Sequence, residues 1–246
     1  MIYPILALVG LAPAAPLPAR AAASVQAATS VQAPGQAPRS PRPKTGEAQI
    51  AGEIARSEAA ARVADWVASS QDNRSLPYII IDKRSAALFL FDARGKPLGQ
   101  APVLIGVATG DEATPGIGGK NLAEIGPAEK TTPAGRFLAR FGAAAGGQRV
   151  LWVDYATSVA LHPIPPGTKK EHRRERMLSP TADDNRITFG CINVPLAFYG
   201  RNVRPLFSKR GGIVYVLPDT KPIEDVFPRL RVQPFLNGAN VSGNVR

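Results

Sequence analysis

Cys191 is the only cysteine of the chain, and it sits in Thr188-Phe189-Gly190-Cys191-Ile192-Asn193-Val194-Pro195. A thiol with no partner in its own chain is either buried and inert or kept for its reactivity. Its neighbours favour reactivity: Gly190 lets backbone approach a ligand closely, and Asn193 offers both a donor and an acceptor. A free thiol of pKa about 8.5 is only a few per cent thiolate at neutral pH, so a nearby imidazole that takes its proton raises its nucleophilicity greatly. The chain has two histidines. His162 closes the run Ser158-Val159-Ala160-Leu161-His162 and is the natural base, at the end of a strand. His172, amid Lys169-Lys170-Glu171-His172-Arg173-Arg174-Glu175-Arg176, reads as a solvated bystander. The two histidines and Cys191 lack a fourth ligand and metal-type spacing, so neither a metal nor a cofactor is expected.

The elements that must position these groups are mostly strands. Tyr78-Ile79-Ile80-Ile81-Asp82 and Ala87-Leu88-Phe89-Leu90-Phe91-Asp92 are β-branched and aromatic runs, and a turn at Arg94-Gly95-Lys96 leads into Val103-Leu104-Ile105-Gly106-Val107. An antiparallel meander follows from this order. Arg149 to Tyr155 and Ser158 to His162 read as a hairpin, and Gly212 to Leu217 as a closing buried strand. Helical signal within this body is confined to about residues 195–208. Upstream, Ile50, Ile54, Ala61, Ala64 and Ala68 recur near a 3.6-residue period, which predicts a packing helix over residues 47–70, anchored by Trp66 and Val67. The fold class is therefore mainly β with an N-terminal helix.

The ends differ from this middle. Residues 2–18 are apolar but too short, and too broken by Pro4, Pro13, Pro16 and Pro18, for a comfortable bilayer span. Residues 1–23 are read as a signal peptide, cleaved near Ala21-Ala22-Ala23, although no Lys or Arg precedes the apolar run. Membrane contact is expected only through that segment, if it stays uncleaved. Residues 24–46 form a Pro/Ala-rich linker, residues 47–76 the N-terminal helix region, residues 77–218 the catalytic domain and residues 219–246 a C-terminal tail. The net charge of +11 points to a polyanionic partner. An exported chain without a recognisable nucleic-acid module makes an anionic cell wall a better partner than nucleic acid.

Thr131-Thr132-Pro133-Ala134-Gly135-Arg136-Phe137, His162 and the Cys191 segment, in this order, resemble the YkuD-type L,D-transpeptidases, which remodel bacterial peptidoglycan with a catalytic cysteine. The resemblance covers about residues 77–218, and its two motifs are specific in combination. It implies a β-sandwich or barrel-like catalytic domain in the periplasm, monomeric, acting on peptidoglycan stem peptides as donor and acceptor. Cys191 would be the nucleophile and His162 the general acid/base. The Pro163 carbonyl would orient the imidazole, and the backbone N–H groups of Gly190 and Cys191 would form the oxyanion hole. Thr188 and Asn193 match the family's hydroxyl and amide positions and shape the loop, whereas Thr132, Pro133 and Gly135 read as a turn packed beneath it.

Two departures bear on substrate. Phe189 stands where most members carry a histidine, which replaces a polar wall with an apolar one. Residues 163–184 insert a basic, proline-bearing segment between base and nucleophile. Beside a site that must hold peptide carboxylates, Arg173, Arg174, Arg176 and Arg186 are candidate contacts. The TFGCINVP segment and its arginine-rich lead-in are similar to a divergent group that joins L-Ala to a diaminopimelate amine. A 1-3 link is therefore expected, with the 3-3 link of most members as the alternative. A wall-binding module that has lost catalysis is the reading from a different class.

Overall fold

The computed structural model describes residues 53–232. The signal, the linker and the last residues of the tail lie outside that range. The first helix, α1 (Glu58–Ser70), begins later than the 47–70 pattern predicts, because Ser57 takes the cap: its hydroxyl accepts the Ala60 N–H at 3.1 Å. Gln71 ends it in the left-handed region. Its buried stripe, Ala60, Val63, Ala64, Trp66 and Val67, packs on Tyr78, Ile80, Phe89, Phe91, Ile213 and Tyr215. Trp66 meets Tyr215 edge-on, with centroids 5.8 Å apart.

Ten strands follow: β1 (Tyr78–Asp82), β2 (Ala87–Phe91), β3 (Pro97–Pro102), β4 (Ile105–Gly106), β5 (Gly135–Ala143), β6 (Arg149–Asp154), β7 (Val159–Pro163), β8 (Arg186–Thr188), β9 (Ile192–Val194) and β10 (Gly212–Val216). Eight form one sheet in the order β3-β2-β1-β10-β5-β6-β7-β9, while β4 and β8 pair separately. The meander β1–β3 and the hairpin β6–β7 are antiparallel, as their sequences predict. The closing strand β10 instead runs parallel to β1 and fills the gap between β1 and β5. Because α1 covers one face of β1, β2 and β10 and the second core covers the other, these strands are buried on both sides. That is why they read as continuous apolar runs without alternation.

The sheet nearly closes into a barrel. Beyond β3 the chain reaches Leu104, whose N–H and C=O bond to Asn193 at 3.0 and 2.9 Å, joining one edge of the sheet to β9 at the other. This corrects the predicted strand over residues 103–107. Pairing to β2 falls earlier, on the more exposed residues of β3, and Val103 to Gly106 serve the closure instead. The helix expected near residues 195–208 is present over 196–207, with a π turn at Tyr199–Val203. The tail also differs from expectation. Residues 223–226 form a helical turn, and Phe227 and Leu230 are buried in the core beneath α1, so residues 219–232 belong to the body. Two apolar side chains in a polar stretch are enough to dock it.

Candidate active site

Strands β7 and β9 run side by side in parallel, with Leu161 opposite Ile192, His162 opposite Asn193 and Pro163 opposite Val194. Alternation along each strand divides the two faces. Leu161, Ile192 and Val194 point into the core. His162 and Asn193 therefore point outward, and Cys191, two residues before Asn193, lies on that same side as the chain enters β9. This pairing sets the loop that carries the thiol next to the strand that carries the imidazole, although the two residues are 29 apart in sequence (191 − 162).

The hydrogen bonds of the imidazole are fixed by their ends. His162 Nδ1 lies 2.9 Å from the Pro163 carbonyl oxygen, which can only accept, so Nδ1 carries the proton. Asn193 Nδ2 lies 3.2 Å from His162 Nε2, and Asn193 Oδ1 accepts from Arg173 Nη1 at 3.0 Å. A guanidinium can only donate, so the amide must turn its oxygen to Arg173 and its NH2 to the ring. Both ends thus require a neutral ring with its lone pair on Nε2. Burial pushes the His162 pKa down; the Pro163 carbonyl opposes that shift, and the Arg173 cation reinforces it. Burial pushes the Cys191 thiol up, against a smaller lowering by the Ala160 N–H. The resting pair is a thiol and a neutral imidazole. The thiol faces the Ser158 carbonyl oxygen at 3.7 Å.

The nucleophile loop is braced from below. Gly190 has φ +124°, and a Cβ there would lie 2.7 Å from the Thr131 carbonyl oxygen, so only glycine fits. The buried Thr132 hydroxyl donates to the Gly190 carbonyl at 2.8 Å and accepts the Gly106 N–H at 2.9 Å. Thr132 thus has the supporting role its turn suggests. Thr188 Oγ1 donates to the Cys191 carbonyl at 2.6 Å and accepts the Gly190 N–H at 3.1 Å. This modifies the expected oxyanion hole, because the Gly190 N–H is already engaged within the loop.

Beneath Thr132 lies a buried network that its local sequence does not announce. Lys83 Nζ donates to the Thr132 carbonyl at 2.9 Å and the Gly110 carbonyl at 2.5 Å, and pairs with Asp111 at 3.1 Å and Asp219 at 3.2 Å. Lys83 follows β1 directly, and its partners come from distant loops, so no local signal marks it.

The four candidate arginines separate. Arg173 reaches the site through Asn193 and also pairs with Glu171 at 2.8 Å. Arg174 is exposed. Arg176 donates to the Arg186 carbonyl at 3.1 Å, and Arg186 is drawn away to Asp219 at 2.7 Å. Arg186 therefore braces the body and does not line the site as predicted, since a buried carboxylate outcompetes a solvated ligand for it. Phe189 is 41% exposed, and Lys130 Nζ stands 3.8 Å above its ring centre. The wall predicted to be apolar thus carries a cation, and Lys130 is a residue that the sequence reading missed.

No family model and no curated protein matches this chain. Solved structures similar to it include the L,D-transpeptidase from Xylanimonas cellulosilytica, at 16% identity over 57% of this chain and 60% of that one, with a TM-score of 0.35. The catalytic domain of the Enterococcus faecium L,D-transpeptidase is similar at 18% identity, over 57% of this chain and 96% of that one, with a TM-score of 0.34. The helical cell shape determining protein Pgp2 from Campylobacter jejuni is similar at 12% identity, over 74% and 62%, with a TM-score of 0.40.

Proposed function

We propose that the protein is a cysteine-dependent acyltransferase of the L,D-transpeptidase type that cross-links peptidoglycan stem peptides. One observation carries the reading: His162 lies opposite Asn193 in the β7–β9 pair, beside the loop that bears Cys191, and the ring is held with its lone pair on Nε2. Because the resting thiol faces Ser158, a rotation of the Cys191 side chain brings Sγ to the imidazole when substrate arrives; unliganded sites commonly hold such contacts loosely. Sγ then attacks a stem-peptide carbonyl while Nε2, which must first give up its bond from the Asn193 amide, takes the thiol proton. The Cys191 N–H stabilises the oxyanion, joined by the Gly190 N–H if Thr188 releases it. On collapse the C–N bond breaks, Nε2–H protonates the departing amine, and a thioester remains. An amine of a second stem attacks the thioester, its proton passes to Nε2, and the released sulfur regains a proton from the ring.

The finer reading is a link from L-Ala to diaminopimelate. Lys130 over Phe189, two residues before Cys191, and Arg173 on Asn193, two residues after it, supply positive charge suited to the carboxylates that lie beyond L-Ala in a donor stem. Mass spectrometry of stems incubated with the purified protein tests both levels. Dimers joined from L-Ala to diaminopimelate are expected, and dimers joined through two diamino acids would replace the finer reading. A non-catalytic wall-binding module is the second reading, favoured by the raised thiol pKa and its bond to Ser158. It predicts wall binding that survives Cys191→Ala with no acyl adduct on the unmodified protein.

A further inference from the structure

The inserted segment between the two reactive residues is built to deliver one side chain. Gly167 has φ +64°, and a Cβ there would lie 2.7 Å from Glu171 Oε2 and 2.8 Å from Arg173 Cδ. Its lack of a side chain lets both come close. Glu171 Oε2 accepts the Thr168 N–H at 2.6 Å and Oε1 holds Arg173 Nη2 at 2.8 Å. His172 takes the left-handed conformation, φ 46°, which turns the chain between Glu171 and the short helix Arg173–Met177. The Arg173 side chain is consequently only 13% exposed although it lies in a run of surface charges.

We propose that Arg173 is a positioning residue for the base: by holding Asn193 Oδ1 it turns the amide so that Nδ2 faces His162 Nε2, the nitrogen that the Pro163 carbonyl leaves with its lone pair. Asn193 alone cannot do this, because its two amide ends are similar in shape, and a turned amide would set its oxygen against that lone pair. The donor-only guanidinium removes the choice. The charge acts in the same direction, since a cation beside the ring disfavours imidazolium. The groups that bear on His162 are the Asn193 amide on β9, the Pro163 carbonyl on β7 and Arg173 from the insert, with Glu171 paired to Arg173. Among these Arg173 is the cation, and Glu171 offsets only part of its charge because water reaches that carboxylate. The role rests on the proposed function for its purpose and on the hydrogen-bond geometry for its existence.

Nitrogen-15 NMR of the imidazole in the full chain, followed against pH, tests it without requiring turnover. The native protein should show a single tautomer protonated at Nδ1, titrating below a free imidazole. Arg173→Met should move the Nε2 resonance, because the amide is no longer held towards it, and raise the titration midpoint, because the cation that lowers it is gone. Arg173→Lys, which keeps a donor and the charge, should restore both. The acid limb of Cys191 acylation should move up with the midpoint in Arg173→Met. An unchanged Nε2 resonance and midpoint in Arg173→Met would overturn the proposal. NMR changes as expected in a protein that forms no cross-links would leave it standing and remove the proposed function alone.

Discussion

Two buried cations flank the Cys191 loop, and they are held in opposite ways. Lys83 lies beneath it with a side chain fully removed from solvent, enclosed by two carboxylates and two carbonyls. Arg173 stands at the rim, 13% exposed, shared between one partly exposed carboxylate and one amide. The lower cation is fully compensated, with Arg186 balancing the second carboxylate, and it bonds to backbone, so it fixes shape. The upper one is half-compensated and bonds to a side chain that touches the base, so it tunes chemistry. A site of this kind separates the parts that must not move from the parts that set protonation.

The comparison breaks most visibly at Lys83. Lys83→Met leaves Asp111 without its buried cation and Asp219 with Arg186 alone, and removal of one member of a buried ionic group costs about 3–5 kcal/mol. Urea unfolding should show a loss of that size. Gly190→Ala comes next, because the left-handed φ and the 2.7 Å approach to Thr131 impose strain of about 1–3 kcal/mol, or a shift of the loop that removes acylation. Thermal unfolding and adduct formation measured together separate the two outcomes. Arg173→Met should be the mildest for stability in the same urea assay, because its carboxylate partner Glu171 stays partly exposed and loses little when the pair is removed.

Acid sharpens the contrast through two separate windows. His162 titrates below a free imidazole in the folded state, so unfolding takes up protons. Its contribution to stability is present above about pH 6.5 and is lost as pH falls below that. For Asp111, burial opposes the charge, but the N–H of Lys221, the hydroxyl of Thr220 and the N–H groups of Asp219 and Thr220 outweigh it and hold the carboxyl well below the usual range. Its contribution is full above about pH 4 and is lost as pH falls towards that depressed value. Stability against pH should therefore fall in two stages. His162→Gln should abolish the upper stage and Asp111→Asn should shrink the lower; loss from the same stage in both variants would contradict the separation.

What the sequence made legible follows the same division. Cys191, His162 and Asn193 could be read because each lies in a short motif whose chemistry is local, and the meander and hairpin because period and turns are local too. The difference between Arg173 and Arg174 could not be read, since adjacent arginines in one charge run are separated only by the turn at His172 and the gap at Gly167. Lys83 was invisible because its acids lie 28 residues away in one case and near the far end of the body in the other. Phe227 and Leu230 were passed over because the surrounding prolines and charges resemble a tail. Such contacts depend on closure of the sheet, which no single segment encodes.

The central claim is that Cys191 becomes acylated with His162 as its base. Intact-protein mass spectrometry after incubation with a tetrapeptide stem, across pH, tests it most directly. A thioester adduct should appear on the native protein and be absent from Cys191→Ala. With His162→Gln its rate should fall by about 10²–10⁴-fold, the usual contribution of a general base. An adduct on Cys191→Ala, or an undiminished rate with His162→Gln, would contradict the account.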